Sequence, residues 1–274
     1  MKKILSVILA LTLVLGLCAM VGCGSESDTN TSSVASDTNS TESSTVKVTT
    51  VSDGKLIMAT NAYFAPYEYY EGDKIIGIDA EIAEAIANKL GLTLEIKDMN
   101  FETIITAVNA GDADIGVAGM TVTPDRQLEV DFSISYANGV QSIIVKEGSP
   151  ITCADDLSAD GANYKVGVQL GTTGDTYCTE DFGKDRVTQY ANGNEAIVAL
   201  LGGDIDCVVI DNQPALNFVA NNEGLKILET AYTDEDYAIA IKKGNTQLRD
   251  AIDKAIQELT ADGTIDKILK KYIK

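Results

Sequence analysis

The stretch "AVNAGDADIGVAG" at residues 107–119 returns in altered letters as "ALLGGDIDCVVID" at residues 199–211. In each, an apolar helical run stops at a Gly-Asp turn, a second aspartate follows, and a short unbroken apolar segment begins. Glycine ends a helix by taking the left-handed conformation that side chains resist. A strand that is apolar at every position is buried on both faces. The likeness extends backwards, because "FETIITAV" leads into the first copy and "NEAIVAL" into the second, both with helical apolar spacing. Helix, turn and strand repeated in one order imply two lobes of like construction.

The surrounding chain alternates in the same manner. "KLIMAT" (55–60) reads as a strand, and "GIDAEIAEAIANKLG" (77–91) as a helix with Ile78, Ile82, Ala85 and Ile86 inward and Gly91 as its stop. "TLEIK" reads as a strand. In the second half, "YKVGVQ" (164–169) is a strand followed by "LGTTGD" and a helix. "RVTQY", the second copy, a helix after Pro214 and "LKIL" come next. "DYAIAIKKG" (236–244) reads as one more strand, and the last residues as two helices hinged at Gly263. Strands alternating with helices predict an α/β fold with mainly parallel sheets.

The opening "MKKILSVILALTLVLGLCAMVGC" has two lysines, an apolar core of roughly 15 residues and small residues before a cysteine. That is a secretory signal layout, too short to read as a spanning helix. "MVGC" (20–23) resembles a lipobox, with Met20 where leucine is usual. Cleavage before Cys23 and acylation of its thiol would tether the folded part outside the cytoplasmic membrane; ordinary secretion with Cys23 unmodified is the alternative. Cys18 is a poorer candidate because Leu17 is too bulky before the cut. Residues 24–50 are mostly Ser, Thr, Asn and Asp, which bury too little apolar surface to order a chain. The expected organisation is a signal at 1–22 and a lipidated, disordered linker at 23–52. One lobe then takes 53–136 and 237–274, and the other 137–236.

A formal charge of −20 argues against nucleic acid as a partner. No histidine is present, which removes the usual general base, the commonest zinc ligand and every Ser-His triad. Beyond the signal region, Cys153, Cys178 and Cys207 are not spaced as a metal clip or redox pair, and buried free thiols are expected. "GDAD", "GDID" and "DED" lack the remaining ligands of a calcium loop and read as turns. No metal and no cofactor is expected.

In α/β sheets, ligands bind beyond the carboxyl ends of strands. Those ends carry Thr60 and Asn61, Gly119 to Thr121, Gln169 to Thr173, and Asp211. Two ends from each half facing one gap describe a cleft. Arg126, in "GMTVTPDRQLEVDFS" (119–133), offers a planar fork of donors suited to a carboxylate. Thr121 and Thr123 add hydroxyls, and Gly119 lets backbone approach a ligand. "GTTGD" opens a helix whose free N–H groups favour an anion, although it lacks the Gly-Lys-Ser/Thr ending of a nucleotide loop. Asp211 is an acceptor for an ammonium, or simply a helix cap. One group for a carboxylate and one for an ammonium describe an α-amino acid.

"TNAYFAPYEYYEGDKIIGIDAEIAEAIANKLG", "AVNAGDADIGVAGMTVTPDRQLEVDFSISY", "KVGVQLGTTGD", "ALLGGDIDCVVIDNQPA" and the ending "DGTIDKILKKYI" together resemble the extracellular solute-binding proteins of family 3. The resemblance runs from about Lys55 to Lys274, and "GMTVTPDR…DFS" is its most specific part. It implies a non-catalytic, two-lobed fold of the periplasmic-binding-protein type II, with two crossing strands near residues 135–139 and 232–237. It further implies closure on one amino acid and delivery to the membrane permease of an ABC importer, with the receptor acting as a monomer.

Carried over by motif, Arg126 would clasp the α-carboxylate with Thr121 and the backbone N–H of Thr172 or Thr173. Asp211 and the Gly119 carbonyl would take the ammonium. Phe64 and Phe101 would sandwich the ligand side chain, though Phe101 also fits a core position of its helix. Thr123 reads as a structural hydroxyl, and Glu68 as a scaffold or surface acid. Many relatives have Thr-Asp where this chain has Thr60-Asn61. With Gln169 also neutral, polar uncharged ligands such as glutamine or cystine are favoured over lysine or arginine. Two other functions are open to this scaffold. A dehydratase would need a cleft acid of raised pKa, and a sensor would need a signalling partner in the membrane.

Overall fold

The computed structural model describes residues 48–228 and 233–273. The expected signal, Cys23 and most of the leash lie outside the described residues, as does Tyr232 of the second expected crossing. Val48 is buried, and the Val51 N–H donates to Asp114 at 2.7 Å. The last residues assigned to the leash therefore lie against the fold, because Asp114 offers a carboxylate to them.

The first series of elements comprises β1 (Lys55–Thr60), β2 (Tyr63–Phe64), β3 (Glu68–Glu71), β4 (Lys74–Ile76), α1 (Ile78–Leu90), β5 (Thr93–Asp98), α2 (Ile104–Ala110), β6 (Ile115–Gly116), α3 (Pro124–Glu129) and β7 (Val130–Phe132). The second comprises β8 (Ala137–Lys146), β9 (Val166–Gln169), α4 (Thr173–Phe182), β10 (Val187–Tyr190), α5 (Gly193–Gly202), β11 (Cys207–Asp211), α6 (Asn212–Asn221), β12 (Leu225–Ile227) and β13 (Thr233–Tyr237). The chain ends with β14 (Ala240–Lys242), α7 (Thr246–Ala261) and α8 (Thr264–Tyr272).

The two main sheets share one plan. The first has the order β5-β1-β6-β14-β7 and the second β10-β9-β11-β8-β12, with β13 beside β8. In both, three parallel strands are followed by one antiparallel strand and then a fifth. In the first, Met58 of β1 lies opposite Ile96 and Ile115, and Ala240 of β14 is antiparallel to both Gly116 and Phe132. In the second, Val166 of β9 pairs with Val187 and Cys207, and β11 meets β8 antiparallel at Ile210↔Ser142. The sequence repeat is thus a repeat of topology, with α2-β6 answering α5-β11. A third sheet, β2-β3-β4, is an antiparallel ribbon.

The turn of each copy behaves as its glycine dictates. Gly111 and Gly203 cap α2 and α5 in the left-handed conformation, at φ 83° and 85°. A Cβ on Gly111 would meet nothing within 4 Å, so only the backbone angle resists a side chain there. Gly111→Ala should cost about 1 kcal/mol, read as a lower urea midpoint at unchanged slope.

"DYAIAIKKG" is not one strand. β13 ends at Tyr237 in the second sheet and β14 begins at Ala240 in the first, so the segment leaves one sheet and enters the other. Continuous apolar character concealed the break, since Tyr237 to Ile241 are all buried in both settings. The other passage between sheets lies between Phe132 and Ala137. One apolar cluster joins Ile78, Ile82 and Ile86 of α1 to Leu248, Ile252 and Ile256 of α7 and extends to Ile144, Val208 and Ile210 of the second sheet. Each such side chain stabilises the fold by about 2 kcal/mol as an upper estimate. Tyr67 and Tyr237 meet edge to face within it, at a centroid distance of 5.3 Å.

Candidate functional site

The carboxyl ends of β1, β6, β9 and β11 surround a cavity. All ten residues singled out for ligand contact line it: Asn61, Phe64, Phe101, Gly119, Thr121, Arg126, Gln169, Thr172, Thr173 and Asp211. Ala118 and Glu68 complete the wall.

Arg126 is placed by the start of α3. Pro124 occupies the first turn, and the Thr123 hydroxyl caps the helix by accepting from the Arg126 N–H at 3.2 Å. Thr123 is therefore structural, as expected. The guanidinium lies 5.3 Å from the Phe101 ring centroid and donates to the Thr121 carbonyl at 2.8 Å and the Gly171 carbonyl at 3.0 Å. Two of its five N–H groups are used by these bonds, leaving donors for a carboxylate. Burial lowers its pKa, and the charges of Glu235 and Asp211 oppose that shift. Phe101 serves both readings made of it, since it lines the cavity and packs with Ile57 and Ile104.

Two expected donors are already committed. The Thr121 hydroxyl donates to Glu235 at 2.8 Å, and the Thr172 N–H to the Gln169 carbonyl at 3.3 Å. Of the pair proposed on α4, Thr173 is the candidate for an anion, because it is the first residue of the helix and Thr172 is its cap. Asp175 holds this loop by accepting from the Gly171 N–H at 3.0 Å and from Gln189 at 2.8 Å.

Asp211 closes β11 at the head of α6, yet its side chain makes no capping bond. The bland reading of this residue is thereby excluded. Its carboxylate accepts instead from the Tyr237 hydroxyl and bonds Gln141. Burial first, and the charge of Glu235 second, push its pKa up to about 7. Gly119 takes φ 51°, and a Cβ there would come within 2.8 Å of the Phe64 ring, so the bare backbone lets that ring lie over the loop.

Asn61 and Gln169 meet each other. The Gln169 amide donates to the Asn61 oxygen at 3.0 Å, and the Asn61 amide donates to the Met99 carbonyl at 2.9 Å. These neutral groups tie β1 of the first sheet to β9 of the second, and the Arg126–Gly171 bond makes a second tie.

Glu68 is not a surface acid. It is 1% exposed, lines the cavity, and has one carboxyl oxygen, Oε2, without a hydrogen-bond partner among the described residues. Burial, then the neighbouring Asp79, hold its pKa well above the usual carboxylate range. Glu235 and Tyr237, which also escaped the sequence reading, position Thr121, Gln141 and Asp211. Among the described residues, no group of three or more His, Cys, Asp or Glu side chains could hold a metal ion. Of the segments read as turns, "DED" (234–236) is instead part of strand β13, paired with β8, while Asp114 accepts from the Ile57 N–H and Asp206 from the Lys165 N–H. Cys178 and Cys207 are buried free thiols, and Cys153 is free and half-buried.

Two lobes of one plan, with opposed charges across a cavity at their strand ends, define a two-lobed binding protein of the type II periplasmic fold. The model of the bacterial extracellular solute-binding proteins, family 3, matches residues 56–274, and the chain belongs to that family. It is similar to the arginine-binding extracellular protein ArtP of Bacillus subtilis, at 35% identity over 80% of this chain and 86% of that one. It is also similar to the glutamine-binding protein GlnH of an ABC transporter in the same organism, at 31% identity over 100% of this chain and 98% of that protein. Among solved structures, an ancestral arginine-binding protein bound to arginine superposes with a TM-score of 0.75 at 40% identity, covering 81% of this chain and 99% of that chain. This protein is accordingly a solute-binding protein acting outside the cytoplasm, and not an enzyme.

Proposed function

We propose that this receptor binds an amino acid with a cationic side chain, arginine foremost, and hands it to the membrane permease of an ABC importer. The observation that carries the reading is the placement of three ionisable groups around one cavity. Arg126 stands ready for the α-carboxylate, Asp211 for the ammonium, and the buried, unpartnered oxygen of Glu68 for a third, positive group. Asn61 lacks the negative charge that a guanidinium needs, which favoured neutral ligands in the sequence. Glu68 brings an acid from another strand whose ionised form a ligand cation would favour, whereas beside a neutral side chain that ionised form would be costly. The arginine-bound ancestral protein and the ArtP relative support the same choice. Glutamine is the second reading, supported by the same ancestral protein bound to glutamine, at 39% identity.

Phe64 and Phe101 form the two faces against which a side chain would lie, and Thr173 adds a helix-terminal N–H to the carboxylate site. Closure is a hinge motion at the two passages between sheets, with residues 53–136 and 237–274 as one lobe and 137–236 as the other. The Asn61–Gln169 and Arg126–Gly171 bonds then form as the lobes meet. Acylation of Cys23 would keep the monomeric receptor at the membrane, with the Ser/Thr-rich leash giving it reach.

Thermal unfolding of refolded protein with each standard amino acid, citrulline and cystine tests the reading. A ligand at a hundred times its dissociation constant adds about 2.7 kcal/mol, a rise of a few degrees in Tm. The largest shift should come from arginine. A shift with glutamine or cystine alone would restore the neutral-ligand reading, and none with any amino acid would remove the receptor assignment for this cavity.

A further inference from the structure

Beneath the cavity, two carboxyl groups are in contact. Glu68 on β3 and Asp79 in the first turn of α1 are 1% and 0% exposed, and a side-chain hydrogen bond joins them. Ionised carboxylates only accept, so such a bond requires a proton held between the two. Like charges this close in a dry site do not both ionise. Asp79 already receives the Gly119 N–H at 2.7 Å on Oδ2, and the Tyr136 hydroxyl lies 2.9 Å from each of its oxygens. With those donors aimed at Asp79, the shared hydrogen rests on Glu68 when the cavity is empty. Glu68 Oε2 remains unpartnered in a side chain that lines the cavity.

We infer that Glu68 and Asp79 form a one-proton couple that sets ligand charge: an incoming cation draws the proton from Glu68 to Asp79, and a second proton abolishes the preference. The O–H bond at Glu68 breaks and one forms at Asp79, so no proton leaves the pair. Glu68 then faces the cation as a carboxylate, while Gly119 and Tyr136 keep their bonds to Asp79. The inference rests on the cationic-ligand reading and adds what makes that choice depend on pH.

The other groups facing the couple favour the same behaviour. Asp211 from β11, Asp98 at the end of β5, and Tyr67 and Tyr136 surround Glu68, and among the described residues Arg126 is the one cation lining the cavity. Acids outnumber the cation, and burial raises the pKa of both members of the couple. On acidification the couple therefore loses its negative charge earlier than an exposed carboxylate would.

The test compares arginine with citrulline, which has the same length and a neutral urea in place of the guanidinium. Both bring the same carboxylate and ammonium, so the titration of Asp211 cancels in the ratio of their Kd values. By calorimetry on the intact protein, arginine should lead strongly at about pH 8, and its advantage should shrink at least tenfold by about pH 4.5. Glu68→Gln keeps a hydrogen bond to Asp79 but places no charge at the cavity. It should cut the ratio about tenfold at neutral pH and flatten its pH profile. A wild-type ratio constant across that range, with circular dichroism unchanged, would overturn the couple while leaving arginine reception intact. An unchanged ratio in E68Q would do the same. Failure of both ligands to bind at any pH would remove the couple together with the cationic-ligand reading.

Discussion

Arg126→Ala should bind no amino acid at concentrations that saturate the wild-type protein. The guanidinium stands at a half-buried site where water cannot replace its donors, so a ligand carboxylate would enter unpaired. Truncating one partner of a buried charge pair costs on the order of 3 kcal/mol or more, a hundredfold or greater in Kd. The variant also loses the bond to the Gly171 carbonyl, which ties α3 to the loop after β9, so closure weakens along with ligand contact. Arg126→Lys should fall nearly as far, because an ammonium cannot reproduce the two-pronged grip. Titration calorimetry on protein whose fold is checked by circular dichroism decides the matter. Affinity within a few-fold of wild type would show that the carboxylate sits elsewhere.

Affinity for every amino acid should decline as pH falls below about 7, the pKa to which burial and Glu235 raise Asp211. Above that value the carboxylate is ionised before the ligand arrives. Below it, a proton must leave before the ammonium can pair, and affinity drops up to tenfold per pH unit until the pKa of the liganded state is reached. The empty protein responds with the opposite sign. A carboxyl whose folded pKa is raised contributes stability below its unfolded value and loses it as pH rises through about 7. The unliganded receptor should therefore unfold more readily at pH 8 than at pH 5 on account of this group. Asp211→Asn should remove this decline for a neutral ligand such as citrulline, together with most of the affinity itself. With no histidine in the chain, a profile that stays steep in that variant would point to another buried acid.

Much of this arrangement was readable before any coordinates. The Gly-Asp turns at residues 111–112 and 203–204 announced the two sheets because a left-handed cap and a doubly buried strand leave strong local marks. Arg126 and Asp211 stood out as charges beside glycine, threonine or the end of an apolar run. Glu68 did not, because its burial comes from α1 packing across the β2-β3-β4 ribbon, a contact between segments that sequence spacing does not report. Asp79 could have been found. With Ile82, Ala83 and Ile86 it falls at positions i, i+3, i+4 and i+7, the inward face of its own helix, and an acid there needs a buried partner. The division of "DYAIAIKKG" into β13 and β14 was hidden for a related reason: both halves are buried, and burial alone does not say in which sheet.

The position of β14 also dictates an order of events. It lies between β6 and β7, in the interior of the first sheet, yet it is synthesised after the whole second sheet. A chain made or exported from its N-terminus therefore completes the second lobe as Tyr237 emerges, while β6 and β7 still wait for the strand that joins them. Until then both present open edges to any chaperone or neighbouring chain. Completion of the first sheet thus waits on three residues, Ala240 to Lys242, that follow the whole second sheet in the chain.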